Sequence, residues 1–379
     1  MLIFSMIHSK SITAHSIAFF LLLFFVTGCG SISEPEKAVN RLEPSGVSPN
    51  EAVELISGTL ALFPDNTQFA IAFVDDTLRS YYGAQRFSDT LKTVSNQDRV
   101  FEIGSITKVF TSAILSSAET DGRLDKHESV QTHLDFQLNN EADFTFLHLS
   151  NHTSGLPRIP PMLRDMLLNF RNPYKNYNQE RFRNYIENEM ELLAEPGSQY
   201  EYSNTGTGLL GNVLSAIYGV TFEDLLQETL FNPFGMNRST TNRSSVAAHL
   251  EQGLNKRGRT TPYWDITSLA ASGAVLSSVE DLSTFLSVVL SGQYHFLNNT
   301  LEPTFTISDT MKIGMGWHIS LGENGRLIHW HNGGTGGFSS FMAVDAKQNR
   351  GIVILANISA GHSHARNIDR LGFELLKME

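Results

Sequence analysis

Residues 328–338 read "IHWHNGGTGGF": His329 and His331 stand two apart, and four glycines fall among the next six residues. Taken alone, the stretch fits a metal pair, a phosphate-cradling loop or one wall of a hydrolase active site. Its surroundings narrow the choice. Residues 313–321 ("IGMGWHISL"), 326–332 ("RLIHWHN"), 339–346 ("SSFMAVDA") and 350–358 ("RGIVILANI") are strand-like runs separated by turn residues. The glycines therefore follow a strand that leads to another strand, whereas a dinucleotide site needs a helix there. A metal hydrolase needs more ligands than the pairs His329/His331 and His362/His364 supply, and no HExxH or carboxylate cluster accompanies them. No metal and no cofactor is called for. A glycine-bearing strand that can lie close to a substrate is the reading that survives.

Working outward, residues 51–63 pattern as a helix, and 68–76 with 78–85 as paired strands turning at Asp75-Asp76. In 101–124, Ile106, Val109, Phe110, Ala113, Ile114 and Ala118 recur at helical spacing and Gly122 stops the run. From there to about Asp265, helices and loops dominate. The clearest helices are 204–219 and 221–231, the second with Thr221 and Asp224 placed as a capping box. Residues 269–292 read as a turn and a helix, and 365–378 as a closing helix. Strands at both ends of the chain thus flank a helical middle. The expected fold is α+β: one antiparallel sheet built from both ends (51–120 and 266–379), covered by terminal helices, with a helical domain (121–265) inserted. A cleft between two such units is a common place for a site.

The 379 residues are enough for a sizeable core, and the formal net charge of −11 argues against a nucleic-acid partner. Lys10 and two histidines precede an apolar run, 17–26 ("IAFFLLLFFV"), too short to span a bilayer and suited to a secretion signal. Thr27-Gly28-Cys29 follows, and Cys29 is the single cysteine, so the chain has no internal disulfide. Val26-Thr27-Gly28-Cys29 resembles a bacterial lipobox, which implies lipidation at Cys29 and a membrane anchor through the lipid. Residues 1–29 are then a lipoprotein signal ending at the lipidated cysteine, and 30–50, polar and Pro/Ser-bearing, a tether. By the same resemblance, Gly30 after the cysteine favours the outer membrane of a Gram-negative cell, with the domain facing the periplasm.

Three short elements could carry chemistry. Ser105-Ile106-Thr107-Lys108 opens a helix, where positions i and i+3 share a face and free N–H groups can meet a developing oxyanion. Tyr202-Ser203-Asn204 follows a Pro196-Gly197 turn; a tyrosine beside a Ser/Lys pair can shuttle protons, and an asparagine can hydrogen-bond a substrate carbonyl. A second Tyr-x-Asn, Tyr174-Lys175-Asn176, lies in a polar loop. His331-Asn332-Gly333 is the third element, with the nitrogen of Gly334 a second oxyanion donor beside that of Ser105.

In this order and with their surroundings, these elements resemble the serine β-lactamase and penicillin-binding protein superfamily, in its class C-related branch of DD-carboxypeptidases, D-aminopeptidases and esterases. "FEIGSITKVFTS", "LHLSNHTSGLPR", "PGSQYEYSNTGTGLLG", "FNPFGMNRST", "GMGW" and "HNGGTGGF" carry the likeness from about residue 60 to the end. The resemblance implies a β-lactamase/transpeptidase-like fold and a serine hydrolase working through an acyl-enzyme on D-Ala-type cell-wall peptides, other amides or β-lactams. It implies Ser105 as nucleophile, Lys108 as the group that takes its proton and holds Tyr202 at a low pKa, and Tyr202 as proton shuttle. Asn204 would bind the substrate amide, and the N–H groups of Ser105 and Gly334 would form the oxyanion hole, with Gly333 beside them. His331 takes the place of the lysine in the Lys-Thr-Gly motif of true β-lactamases. A histidine with an ordinary pKa of about 6.5 is mostly neutral at pH 7. The loss of that cation points to weak β-lactamase action and to substrates less dependent on a carboxylate anchor. Residues 158–193 occupy the place of the family's cleft-lining loops. His148, His152 and His329 read as structural. The competing readings are a carboxylesterase of the same fold and a non-catalytic penicillin-binding envelope lipoprotein, the second opposed by a complete motif set.

Overall fold

The computed structural model describes residues 38–44, 50–75, 78–322 and 325–378. The leader and Cys29 lie outside them. Strands come from the two ends of the chain. The N-terminal group is β1 (Val39–Arg41), β2 (Gln68–Asp75), β3 (Leu78–Phe87) and β4 (Thr90–Val94), with helix α1 (Asn50–Leu60) before β2. β5 (Phe101–Glu102) then leads through a 3₁₀ turn, Gly104–Ile106, into α2 (Thr107–Thr120). The middle is helical: α3 (Phe146–Ser150), α4 (Leu163–Leu168), α5 (Gln179–Asn188), α6 (Asn204–Tyr218), α7 (Phe222–Leu226) and α8 (Asn232–Phe234). After β6 (Leu276–Ser277) come α9 (Val279–Leu290), α10 (His295–Leu301), the six strands β7 (Phe305–Ser308), β8 (Met311–Ile313), β9 (His318–Leu321), β10 (Leu327–Gly334), β11 (Ser339–Asp345) and β12 (Arg350–Ala356), and finally α11 (Arg366–Lys377).

Ten strands form one sheet in the order β1-β4-β3-β2-β12-β11-β10-β9-β8-β7, while β5 and β6 pair separately. Every neighbour is antiparallel except β1 on β4. The two ends of the chain meet at β2 and β12, where Ile71 lies opposite Ile354. Alternation along these strands explains the layering. Ala70, Ala72 and Val74 of β2, with Val353 and Leu355 of β12, join a core shared with α2 and α9. Phe69 and Ile71, with Ile352 and Ile354, point the other way onto α1 and α11. A strand buried on both faces needs a continuous apolar run, and "GIVILA" in β12 is one. Helices therefore cover both faces, as the pattern of terminal helices anticipates.

Two differences from the sequence reading follow from pairing. Val39–Arg41 fall in the stretch assigned to a tether, yet they form edge strand β1, held by backbone register with Thr90–Lys92. β7 and β8 are only four and three residues long, too short for their alternation to stand out, and their ladder with β9 makes them strands. The capping box at Thr221/Asp224 is formed as its spacing dictates.

Candidate active site

Ser105 stands in the 3₁₀ turn that opens α2, and the last residues of β10 press against that turn. Gly104 adopts φ +52°, and a Cβ there would lie 2.6 Å from the nitrogen of Gly334. A Cβ on Gly333 would lie 1.9 Å from the carbonyl oxygen of Ile103. Only glycines permit this approach, which brings the Gly334 N–H beside the serine turn. Ser340 Oγ locks the contact by donating to the Ile103 carbonyl at 2.8 Å. Glu102 fastens it from the other side, accepting from Thr335 Oγ1 at 2.6 Å and from Trp264 N at 2.7 Å. Burial pushes the Glu102 carboxyl up to about 7.

One turn of helix from Ser105, Lys108 is 1% exposed. Its Nζ lies 3.2 Å from Ser105 Oγ and donates to the Ser272 carbonyl at 2.6 Å. Burial, reinforced by the nearby Arg158 charge, holds its pKa well below the ordinary lysine value. A neutral amine with one N–H engaged by a carbonyl has a lone pair to offer the serine hydroxyl.

Tyr202 shares a side-chain hydrogen bond with Ser105. Its ring is 4.5 Å from that of His152, and Lys108 Nζ stands 4.9 Å from its centroid. Burial raises its phenol to about 12, against the lowering effect of Ser105 and Arg158. This corrects the expectation of a low-pKa tyrosine. Desolvation disfavours both charged forms, so the proton stays on Tyr202, and of the two groups the Lys108 amine is the better placed to accept one. The loop after α3 aligns this segment. Ser203 Oγ caps α6, accepting from Gly206 N at 2.8 Å and donating to the Pro157 carbonyl at 2.8 Å. Asn204 N donates to the Arg158 carbonyl at 2.8 Å. Asn204 also meets the Tyr174 hydroxyl, while its Oδ1 has no partner among the described residues.

His331 is 1% exposed, and its Nδ1–H donates to the Asn332 carbonyl at 2.6 Å. That bond makes Nε2 the bare nitrogen, and it has no partner among the described residues. Burial, with the fields of His318 and Lys108, keeps the ring neutral by holding its pKa well below 6.5. His318 hydrogen-bonds Tyr200 at 2.8 Å and is lowered to about 4 by burial. His329 bonds the Leu301 carbonyl at 3.0 Å.

All seven predicted site residues of the folded domain thus occupy one locality: Ser105, Lys108, Tyr202 and Asn204 from the helical side, and His331, Gly333 and Gly334 on β10. A profile of the Beta-lactamase family matches residues 70–377. The chain belongs to the beta-lactamase family. It is 26% identical over 302 residues to Protein flp of Staphylococcus aureus (strain MW2), a match covering 75% of this chain and 57% of that protein. The chain therefore spans little more than half the length of that relative. The D-alanyl-D-alanine-carboxypeptidase/endopeptidase AmpH of Escherichia coli (strain K12) is 25% identical over 316 residues, covering 77% of this chain and 80% of AmpH. Among solved structures, the penicillin-binding protein homologue from Pyrococcus abyssi superposes with a TM-score of 0.72 at 22% identity, covering 86% of this chain and 77% of that one. The beta-lactamase/D-alanine carboxypeptidase from Pseudomonas syringae gives 0.70 at 21%, covering 86% and 97%. These structures share the fold, a β-lactamase/transpeptidase-like arrangement.

Two residues of this family site escape a motif-based reading. Arg158 ends the phrase "LHLSNHTSGLPR", yet no spacing rule ties it to Tyr202; its guanidinium carbon lies 4.8 Å from the Tyr202 ring centroid. Tyr174 belongs to the second, unremarkable Tyr-x-Asn match, and the chain path brings its hydroxyl to Asn204. Both lie in the segment 158–193 that the likeness places along the cleft.

Proposed function

We propose that this protein is a periplasmic, lipid-anchored serine hydrolase that cleaves peptide or amide bonds of the D-Ala type through an acyl-enzyme. The observation that carries the reading is the buried Lys108 amine, 3.2 Å from Ser105 Oγ and shifted by burial toward its neutral form. Lys108 takes the Ser105 proton as Oγ attacks the substrate carbonyl, and the N–H groups of Ser105 and Gly334 receive the oxyanion, each contributing roughly 3–4 kcal/mol to barrier lowering. Tyr202 passes its phenol proton to the leaving nitrogen and takes one back from the Lys108 ammonium. Lys108 is then neutral again and serves as base for the water that releases the acyl group. Asn204 Oδ1, unpartnered, is free to accept from a substrate amide N–H.

The carboxypeptidase named among the relatives supports the peptide substrate. The lipobox-like Val26-Thr27-Gly28-Cys29 after an apolar run supports the anchor and the periplasmic location. Neutral His331 favours a second reading, a carboxylesterase on the same machinery, and weak action on cephalosporins. A fluorophosphonate or fluorescent penicillin probe tests the nucleophile: wild type labels and Ser105→Ala does not. No labelling of wild type, or labelling that survives the substitution, overturns it. Hydrolysis of D-Ala-D-Ala peptides, p-nitrophenyl esters and a chromogenic cephalosporin then separates the two readings, and a fast cephalosporinase refutes the argument from His331.

A further inference from the structure

The nitrogen bases around Tyr202, namely Lys108, His152, His318 and His331, are all shifted toward their neutral forms by burial. Arg158 is different. Its guanidinium is a permanent cation, the residue is exposed, and it makes no ion pair among the described residues. Its charge reaches Lys108, His152, Tyr174, Tyr200 and Tyr202. The guanidinium carbon lies over the Tyr202 ring, 4.8 Å from its centroid. The backbone beneath it is fixed, because the Arg158 carbonyl accepts from Asn204 N and the neighbouring Pro157 carbonyl from Ser203 Oγ.

An exposed guanidinium without an ion pair, set over the residue that hydrogen-bonds the nucleophile, can receive a carboxylate bidentately. We propose that Arg158 binds a carboxylate of the substrate adjacent to the scissile bond, supplying from the loop after α3 the positive charge that His331 does not supply from β10. The inference rests on the serine-hydrolase reading and deepens it. Acidic peptides become the preferred substrates, which reverses the expectation drawn from His331 alone and favours peptide over simple ester.

The test uses the full-length protein with three substrates of one series: an acyl-D-Ala-D-Ala peptide with a free C-terminal carboxylate, its C-terminal amide, and that amide carrying a succinyl in place of an acetyl on the acyl side. Arg158→Gln lowers kcat/KM for a carboxylate-bearing member at least tenfold more than for the neutral one, mainly through KM, and Arg158→Lys recovers part of the difference. Whichever carboxylate loses its advantage identifies the side of the bond that Arg158 serves. Equal losses on all three substrates overturn the proposal. Penicillin labelling of Ser105 in wild type keeps the outcomes apart: labelling without charge discrimination removes only the role of Arg158, while no labelling removes the serine-hydrolase reading itself.

Discussion

At Ser105 the spacing of three residues to Lys108 sets the chemistry, because an α-helical turn stacks those side chains whatever surrounds them. What spacing does not set is the protonation state. Lys108 and Tyr202 are tuned by how completely the protein strips water from them, and the same burial raises the phenol while depressing the amine. His331 shows the point in reverse. Its identity in the sequence says the site lacks a lysine; its depth, and the bond from Nδ1 to the Asn332 carbonyl, say that the ring is a neutral, fixed acceptor. A residue in that role is replaceable by one with the same donor. His331→Asn, whose amide can still donate to the Asn332 carbonyl, is expected to keep kcat/KM for D-Ala peptides within about fivefold of wild type, as an uncharged replacement does. A loss beyond a hundredfold in steady-state assays would show the imidazole moving a proton.

The elements that carry these residues are held by caps and close backbone approach more than by apolar contact. Ser203 is the clearest case, since one hydroxyl both caps α6 and ties it to Pro157 on the loop after α3. Ser203→Ala removes both bonds. Loss of an N-cap and of one further hydrogen bond costs roughly 1–3 kcal/mol, read as a lower urea midpoint. The same change loosens Tyr202, one residue earlier, so kcat/KM is expected to fall about tenfold at temperatures where the variant remains folded, near the lower bound of what misplacing a catalytic group costs. Normal activity in the destabilised variant would mean that Tyr202 is held by its ring contacts with His152 and Lys108 alone.

Across the whole molecule, the site exists because distant parts of the chain converge. Glu102 joins β5 to Thr335, just beyond β10, and to Trp264 in the loop before β6. Folded Glu102 holds its proton up to about pH 7, whereas the unfolded carboxyl loses it near 4.5. The Glu102 contribution to stability therefore falls by about 3 kcal/mol as pH rises from about 4.5 to 7, against the opposite contribution of buried histidines such as His318. Glu102→Gln, which can accept from Trp264 N and donate to Thr335 Oγ1, abolishes this slope; urea unfolding of both proteins at pH 4.5 and 8 checks it. A difference in stability between wild type and Glu102→Gln that is the same at pH 8 as at pH 4.5 would place the Glu102 proton elsewhere.

The sequence by itself determined which segments are strands and helices wherever burial is uniform along an element, as in the apolar run of β12 and the periodic face of α2. It also determined the identity of Ser105, Lys108, Tyr202, Asn204, His331, Gly333 and Gly334, because local spacing and family phrases need no third dimension. Only the tertiary structure decided that β1, β7 and β8 are strands, since edge strands are made by the neighbours they pair with. Only it decided that burial shifts the Lys108 amine down and the Tyr202 phenol up, and that Arg158 stands over Tyr202. Those properties depend on desolvation and on charges brought together from separate loops, and neither is written in the order of residues along one element.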